Sequence, residues 1–472
     1  EREDGNYTFF SDKLVNRISI RVELASGFSQ TKIPLQKIQQ KGITPSLSAD
    51  GRFVAFSSRQ DLSAANTPDT QFAIYVEDRL NNTIDRITAS AGLDTGSFRP
   101  VIGGDGRFVA FDSTSNHLVK NSDGSNADSN FNGSDVFLHD RVTDETSIVS
   151  VTSDETQKTG DSYRPSLSTD GRFVVFHSNA PLTGDEGENT VTNVYLRDTH
   201  DGGNTLLVSK PTPLISGNNF NENASISANG KFIVFTSSDR ADITNPESTI
   251  SENVYLFDVQ SGELRLLSRN KQGGPATGRS RTATISETGE FVVFESSASD
   301  LDVPDRIISR ESILFDVQNN KLELVSRDNE GNPVGAFSDQ PVVSSDGRFV
   351  VFSSYSANLS PEDTSTNFDV YIYDRKNGKT QLLSNNPNLP RSDNASGSPS
   401  ISANGAFIAF DSDSSTLVRG DVNDARDAFV VPNPFLISVN GFPQFAHQFR
   451  PSEGDFITKA DFGILPDPGI IR

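Results

Sequence analysis

Apolar residues along this chain come in short runs broken by Ser, Asn, Asp and Gly, and none has the length or the helical spacing of an amphipathic helix. One run announces a repeat. The segment Pro45-Ser-Leu-Ser-Ala-Asp-Gly-Arg-Phe-Val-Ala-Phe56 returns with its turn glycine at Gly51, Gly106, Gly171, Gly230, Gly289, Gly347 and Gly405. Neighbouring copies lie 55 residues (Gly51 to Gly106) to 65 residues (Gly106 to Gly171) apart. An apolar stretch, an Asp-Gly or Asn-Gly pair and a second apolar stretch predict two strands joined by a tight turn, because a two-residue primed turn needs positive φ at both central positions. Each second strand carries paired phenylalanines, from Phe53/Phe56 to Phe407/Phe410. A third strand follows and usually ends in Asp, as in Val194-Tyr-Leu-Arg-Asp198 and Val370-Tyr-Ile-Tyr-Asp374. A fourth closes the unit, as in Leu264-Arg-Leu-Leu-Ser268.

Seven such units predict an all-β, seven-bladed β-propeller with four antiparallel strands per blade, since radial repetition protects the sheet edges. Copy seven departs from the pattern: its third strand, Ala428-Phe-Val-Val431, meets Pro432 where the others have Asp, and no fourth strand follows in phase. Val15-Asn-Arg-Ile-Ser-Ile20 closely matches the fourth strand of copy one, Ile84-Asp-Arg-Ile-Thr88. Residues 13–22 are therefore expected to complete the last blade, so that the ring is closed by the N-terminal strand; Phe435-Leu-Ile-Ser-Val439 is the rival donor. On this reading residues 1–440 form the propeller, and 441–472 a C-terminal extension or a linker to a further domain.

The repeat resembles the TolB-type, WD-like propeller repeat, whose signature is a Pro-Ser-Ile-Ser-x-Asp-Gly-x-x-Val-Ala-Phe stretch followed by a strand ending in Asp. The resemblance covers residues 44–432. It implies the fold and leaves function open, because that repeat family includes binding modules, scaffolds and propellers attached to enzymes.

Composition narrows the partners. A formal charge of −22 argues against nucleic acid, whose binding is driven by clustered Lys and Arg, and against an anionic membrane surface. No apolar stretch approaches the ~18 residues of a membrane span. Cys, Met and Trp are all absent, which excludes disulfides, thiolate nucleophiles and Cys-ligated zinc. The missing initiator Met and the Asn/Ser/Thr-rich composition fit a processed extracellular or cell-surface chain, with the periplasm as the alternative compartment. The ending Ala460-Asp-Phe-Gly-Ile-Leu-Pro-Asp-Pro-Gly-Ile-Ile-Arg472 is similar to junctions between repeated β-domains of large bacterial surface proteins, which would make the chain one piece of a longer polypeptide.

Two places are candidates for chemistry. In the long connection of copy two, Asp128, Asn130 and Asn132, followed by Gly133, match the start of a calcium loop, where alternating oxygen side chains converge on a hard cation. The closing Glu is missing, its place falling on His139, and Asp135 is the expected substitute; a solvated Asn/Asp/Ser/Gly loop is the commoner explanation of the same residues. Thinner versions occur at Asp363/Asp369 and Asp421/Asp427. The second place is the mouth of the central channel, to which the residue before each innermost strand is expected to point: Thr44, Arg99, Arg164, Asn223, Thr282, Gln340 and Ser398. Arg99 and Arg164, with Arg281 nearby, put guanidinium forks at the axis of an acidic protein, suited to a carboxylate or phosphate. The plainer account pairs them with neighbouring acids such as Asp161.

Enzyme motifs are wanting: there is no G-x-S-x-G elbow and no H-E-x-x-H, and the five histidines are scattered. The strand-end aspartates Asp78, Asp140, Asp198, Asp258, Asp316 and Asp374 recur too regularly for catalysis and read as turn caps. The sequence thus points to a non-catalytic extracellular or periplasmic binding or assembly module, including a structural subunit of a cell-surface layer or appendage, with a protein or surface-polymer partner or self-assembly. The alternative is a carbohydrate-active or other hydrolase using carboxylates at the channel mouth.

Overall fold

In the computed structural model, the residues described are 6–9, 18–21, 44–60, 62, 68–88, 96–129, 133–186, 192–200, 203–209, 221–240, 250–303, 309–335, 337–385, 394–414, 416–417 and 426–436. They form seven blades. Blade two is representative, with strands Ser97–Ile102, Phe108–Ser113, Asp135–Asp140 and Glu145–Ile148 paired antiparallel in that order from the channel outward. Blades one to six have four strands, and blade seven has three among the described residues: Ser396–Ile401, Phe407–Ser412 and Asp427–Pro432. One short 3-10 turn, Ala357–Leu359, is the helical element among the described residues.

The repeated segment builds the same hairpin each time by local hydrogen bonding. In blade one the Ser48 hydroxyl donates to Asp50 Oδ1 (2.6 Å) and accepts from the Phe53 amide (2.9 Å), while Asp50 Oδ1 also accepts from the Arg52 amide (2.9 Å). Glycine then takes the positive φ that the turn requires, 68° at Gly347 and 74° at Gly51. Its missing Cβ has a second use. The first phenylalanine of the preceding blade packs flat against each turn glycine, so that a Cβ on Gly347 would sit 2.4 Å from the Phe291 ring. The second phenylalanine of each pair is fully buried, and in most blades it stacks on the aromatic residue facing it in the third strand, as Phe176 does on Tyr195 (centroids 5.9 Å).

The strand-end aspartates are turn caps, as read from the sequence. Asp374 Oδ1 accepts from the Lys376 amide (3.0 Å), and its Oδ2 accepts from Asn377 Nδ2 (2.6 Å). The Arg of the hairpin turn grips the same carboxylate through both faces of its fork: Arg348 Nε and Nη2 donate to Asp374 at 3.0 and 2.8 Å. The fork recurs as Arg52–Asp78, Arg107–Asp140 and Arg172–Asp198. Each of these arginines also lies over the first phenylalanine of its own blade, 4.5 to 4.7 Å from the ring centre.

Most of the segment expected to close the ring, 13–17 and 22, falls outside the described residues. Ile18–Arg21 pairs antiparallel with Asn6–Phe9 in a separate two-stranded ribbon, and neither strand joins blade seven. Residues 437–439 of the rival donor and all of 441–472 lie outside the described residues as well. Among the described residues, blade seven meets blade one through the phenylalanine-on-glycine contact that joins every pair of neighbouring blades, with further contacts beside it. Phe407 packs on Gly51, the Arg79 guanidinium sits 4.5 Å over the Phe407 ring, and the Asn404 amide donates to the Ala49 carbonyl (3.4 Å). Leu47, Val54, Phe56 and Tyr75 share one buried cluster with Ala409, Ala428 and Val430. A propeller ring needs a buried face between adjacent blades, and this cluster supplies it.

Candidate functional site at the channel mouth

Each innermost strand of blades two to seven slips register by one residue, as between Phe98 and Val101 or between Asp339 and Val342. The residue at the slip takes a left-handed backbone: Arg99, Arg164, Asn223, Thr282, Gln340 and Ser398 all have φ between 48° and 55°. For a side-chain-bearing residue this conformation costs about 1 kcal/mol or more. Six-fold recurrence makes it a device of the fold, since a bulge bends its strand and re-aims one side chain. Arg99, Arg164, Gln340, Ser398 and blade one's Thr44 line a central cavity of about 920 Å³, as the sequence predicts; Asn223 and Thr282 line a smaller pocket beside Arg164.

Behind the bulges stands a second ring, the residue that follows the second phenylalanine of each second strand: Ser57, Asp112, His177, Thr236, Glu295, Ser353 and Asp411. Its charged members decide the electrostatics of the mouth. Arg99 grips buried Asp112 through Nε (2.8 Å) and Nη2 (2.6 Å). Arg426 donates to Asp411 (2.6 Å) and to Asp413 (2.7 Å). Arg281 Nε donates to Glu295 (2.6 Å), and Arg310 lies 3.5 Å from the same carboxylate and 3.7 Å from Asp339. Burial pushes the Asp411 carboxyl up to about 6 against the pull of Arg426. Burial, with the like charge of Asp339, pushes Glu295 up to about 7 against Arg310 and Arg281. His177, fully buried, accepts from the Ala224 amide at Nε2 (2.9 Å); burial and then the cations Arg164 and Arg99 hold it down at about 3, so it is neutral.

Among the described residues Arg164 is the exception at this mouth. It is exposed, its Nη1 donates to the neutral Asn223 Oδ1 (2.6 Å), and no carboxylate lies within ion-pair distance of it. Asp161, offered from sequence as a brace, instead accepts from the Ser134 amide (3.0 Å). Arg281 does not line the cavity and is spent on Glu295. Sequence reasoning missed Asp112, Asp339, Asp411, Asp413 and Arg426. A signal for the second ring was present: the position after each second phenylalanine varies from Ser to Asp, His, Thr and Glu while its neighbours hardly change.

At the other end of the channel the turn residues form a ring of small side chains (Ala49, Gly104, Thr169, Ala228, Ala403) in which Glu287 is the charged member. Backbone hydrogen bonds tie this ring from blade to blade, as from Ala49 N to the Gly104 carbonyl (3.0 Å). Burial raises Glu287, and the Ser345 hydroxyl donates to it (2.9 Å).

The calcium candidates fall elsewhere. Asp128 and Asp135 come together, both buried, and Gln157 Nε2 donates to each of them at 2.8 Å; Asn130 and Asn132 lie outside the described residues. Asp135 also accepts from the Ser150 hydroxyl (2.7 Å), a place taken by Asn193 with Ser209 and by Asn253 with Ser268 in the next two blades. Asp363 accepts from the Tyr371 hydroxyl and Asp369 from the Ser365 and Ser384 hydroxyls. Asp421 is outside the described residues and Asp427 is buried. Among the described residues no group of three or more His, Asp or Glu is placed to hold a metal ion.

No protein-family model matches the sequence, and no curated protein matches it. Solved structures do match. An oligogalacturonate lyase from Vibrio parahaemolyticus superposes with a TM-score of 0.52 at 11% identity, over 92% of this chain and 97% of that one. An oligogalacturonate lyase in complex with manganese gives 0.50 at 12% identity, over 91% and 96%. TolB from Acinetobacter baumannii is 15% identical over 82% of this chain and 81% of that one, with a TM-score of 0.38. Identities this low speak for shared architecture alone. With seven blades, the repeated Ser-x-Asp-Gly hairpin and the capped third strand, the chain is a seven-bladed β-propeller whose repeats resemble the TolB-type, WD-like repeat.

Proposed function

We propose that this chain is a non-catalytic extracellular or periplasmic propeller, a binding or assembly module that takes a carboxylate-bearing group of a protein or surface-polymer partner at the channel mouth. The observation that carries this reading is the state of Arg164: the other guanidiniums of the mouth are forked onto carboxylates, whereas Arg164 faces the cavity with an amide as its partner. A planar, permanently charged fork whose partner is a neutral amide keeps donors for an incoming carboxylate. The overall charge of −22 slows the approach of polyanions and makes a local cation the determinant of where one docks.

The second reading, a hydrolase, draws on Asp411, which lines the cavity with its carboxyl lifted to about 6. Arg426 weighs against it. A general acid must give up its proton to substrate, and a guanidinium 2.6 Å away is placed to hold Asp411 as an anion.

Titrating the protein with succinate while following the arginine Nε–H signals by NMR tests the binding reading. The Arg164 signal is expected to move and those of Arg99 and Arg426 to stay. A silent Arg164, or an affinity unchanged by Arg164→Gln, overturns it.

A further inference from the structure

Blade six differs from its neighbours at the rim of the mouth. The residues just before the innermost strand, just after the second and just before the third are Phe337, Tyr355 and Phe368. In blade five the last two places are Ser297 and Arg310, and in blade seven Asp413 and Arg426. The three rings are gathered at one spot. The Tyr355 amide donates to the Phe337 carbonyl (3.4 Å), and Tyr355 and Phe368 lie with ring centres 3.8 Å apart. Phe337 is 59% exposed and Tyr355 47%, the two most exposed aromatic residues among those described, whereas Phe368 is half-buried and lines the central cavity. The Arg310 guanidinium stands 5.9 Å from the Phe337 ring centre.

We infer that this rim is a saccharide platform, and that the ligand class of the mouth is an oligosaccharide carrying a carboxylate, a uronic-acid oligomer. The inference rests on the proposed carboxylate site at Arg164 and adds the chemistry of what bears the carboxylate. Exposed, flat rings at the edge of a cavity offer a face to stack on, not a pocket to fill, and the faces of pyranose rings present C–H groups to such surfaces. Thr44, Gln340 and Ser398 in the cavity, with Asn223 and Thr282 in the pocket beside Arg164, supply hydroxyl and amide groups that match a polyhydroxylated chain. The Thr44 hydroxyl is buried and has no partner in the structure. The paired carboxylates Asp339, Asp411 and Asp413 line the same cavity and retain lone pairs for sugar hydroxyls. A cavity of about 920 Å³ is at the upper end of the about 300–1,000 Å³ of ligand pockets, large enough for more than one sugar ring.

The test is calorimetric titration of the whole chain with a galacturonic-acid trisaccharide, a neutral glucose trisaccharide, and a tripeptide with a free carboxyl end. The variants are Arg164→Gln and the pair Phe337→Ser with Tyr355→Ser; both aromatic rings are exposed, and Ser already stands at Tyr355's place in blade five. The uronic-acid trisaccharide is expected to bind, and each variant to weaken it by roughly tenfold, the worth of one stacked ring or one charged fork. If Arg164→Gln weakens binding and the aromatic pair does not, the platform is overturned and the carboxylate site stands. Binding of the neutral sugar as tight as that of the uronic acid, untouched by Arg164→Gln, overturns the acidic class. A tripeptide that binds where the sugars do not overturns the inference in favour of a peptide ligand. Silence with every probe overturns it too, and the succinate titration of Arg164 then decides separately on the carboxylate site.

Discussion

Replacing Asp374 by Ala should destabilise the protein by about 4 kcal/mol, and replacing its blade-four counterpart Asp258 by about 1 kcal/mol. The two positions are the same in the repeat, but Asp374 has two side-chain partners that Asp258 lacks, Arg348 and Asn377. Asp374 is wholly buried, forked by Arg348 and bonded to the Lys376 amide and to Asn377. Asp258 caps the Gln260 and Ser261 amides (2.9 Å each), but its turn carries Lys231 in place of Arg, and no ion pair joins them. Removing the Asp374 carboxylate strands a guanidinium packed on Phe349, a loss of about 3 kcal/mol for breaking a buried pair, plus about 1 kcal/mol for the cap. At about 2.1 cal/mol/K per residue, a ring of about 390 residues that melts as one has an unfolding entropy of about 0.8 kcal/mol/K, so Tm falls by about 5 °C for Asp374→Ala and by 1–2 °C for Asp258→Ala. Differential scanning calorimetry measures both, and Asp374→Asn should fall between them. Equal losses at the two positions would refute the reasoning, because the fork would then contribute nothing beyond the cap.

Glu295 and His177 should tilt the pH profile in opposite directions. Glu295 has its folded pKa raised from 4.5 to about 7, so its contribution is full below pH 4.5 and is lost as pH rises to 7, up to about 3 kcal/mol; Glu295→Gln should flatten that fall in urea titrations run at several pH values. His177 has its folded pKa lowered from 6.5 to about 3, so its contribution is full above pH 6.5 and is lost as pH falls toward 3, up to about 5 kcal/mol; His177→Gln should reduce acid sensitivity, and an unchanged acid limb would contradict its burial as a neutral ring. Gly347→Ala should cost more than Gly331→Ala: both have positive φ, but a Cβ meets Phe291 at 2.4 Å in the first and open space in the second. Backbone strain alone accounts for about 1 kcal/mol, so equal Tm losses would mean that Phe291 moves aside freely. Excess chelator should leave Tm unchanged, because the Gln157 amide already bridges Asp128 and Asp135; a drop of several degrees would show a calcium ion there.

Much of the propeller was legible in the chain because its logic is local. Ser48, Asp50 and Gly51 close a hairpin with atoms a few residues apart, and Asp374 caps the turn that begins beside it, so seven copies of one phrase carry seven copies of one structure. The six bulge positions, and Thr44 at the same place in blade one, were legible for the same reason, each standing at a constant offset from its turn. What Arg99, Arg164 and Arg281 would meet was not. Asp112 reaches Arg99 only because the register slip between Phe98 and Val101 turns the guanidinium onto the facing strand, and Arg310 reaches Asp339 from the blade beside it. Repeat spacing says nothing of which ring member finds a counter-charge, since that depends on which side chain the register slip brings against the facing strand of the same blade, thirteen to fifteen residues away. The gathering of Phe337, Tyr355 and Phe368 is of the same kind: three strand ends, distant in sequence, meet at one rim because antiparallel strands bring alternate ends together. Composition and repeat determined the blades; the register slip and the facing residue within each blade, Asp112 for Arg99 but His177 beside Arg164, decided which charge at the mouth was left for a ligand.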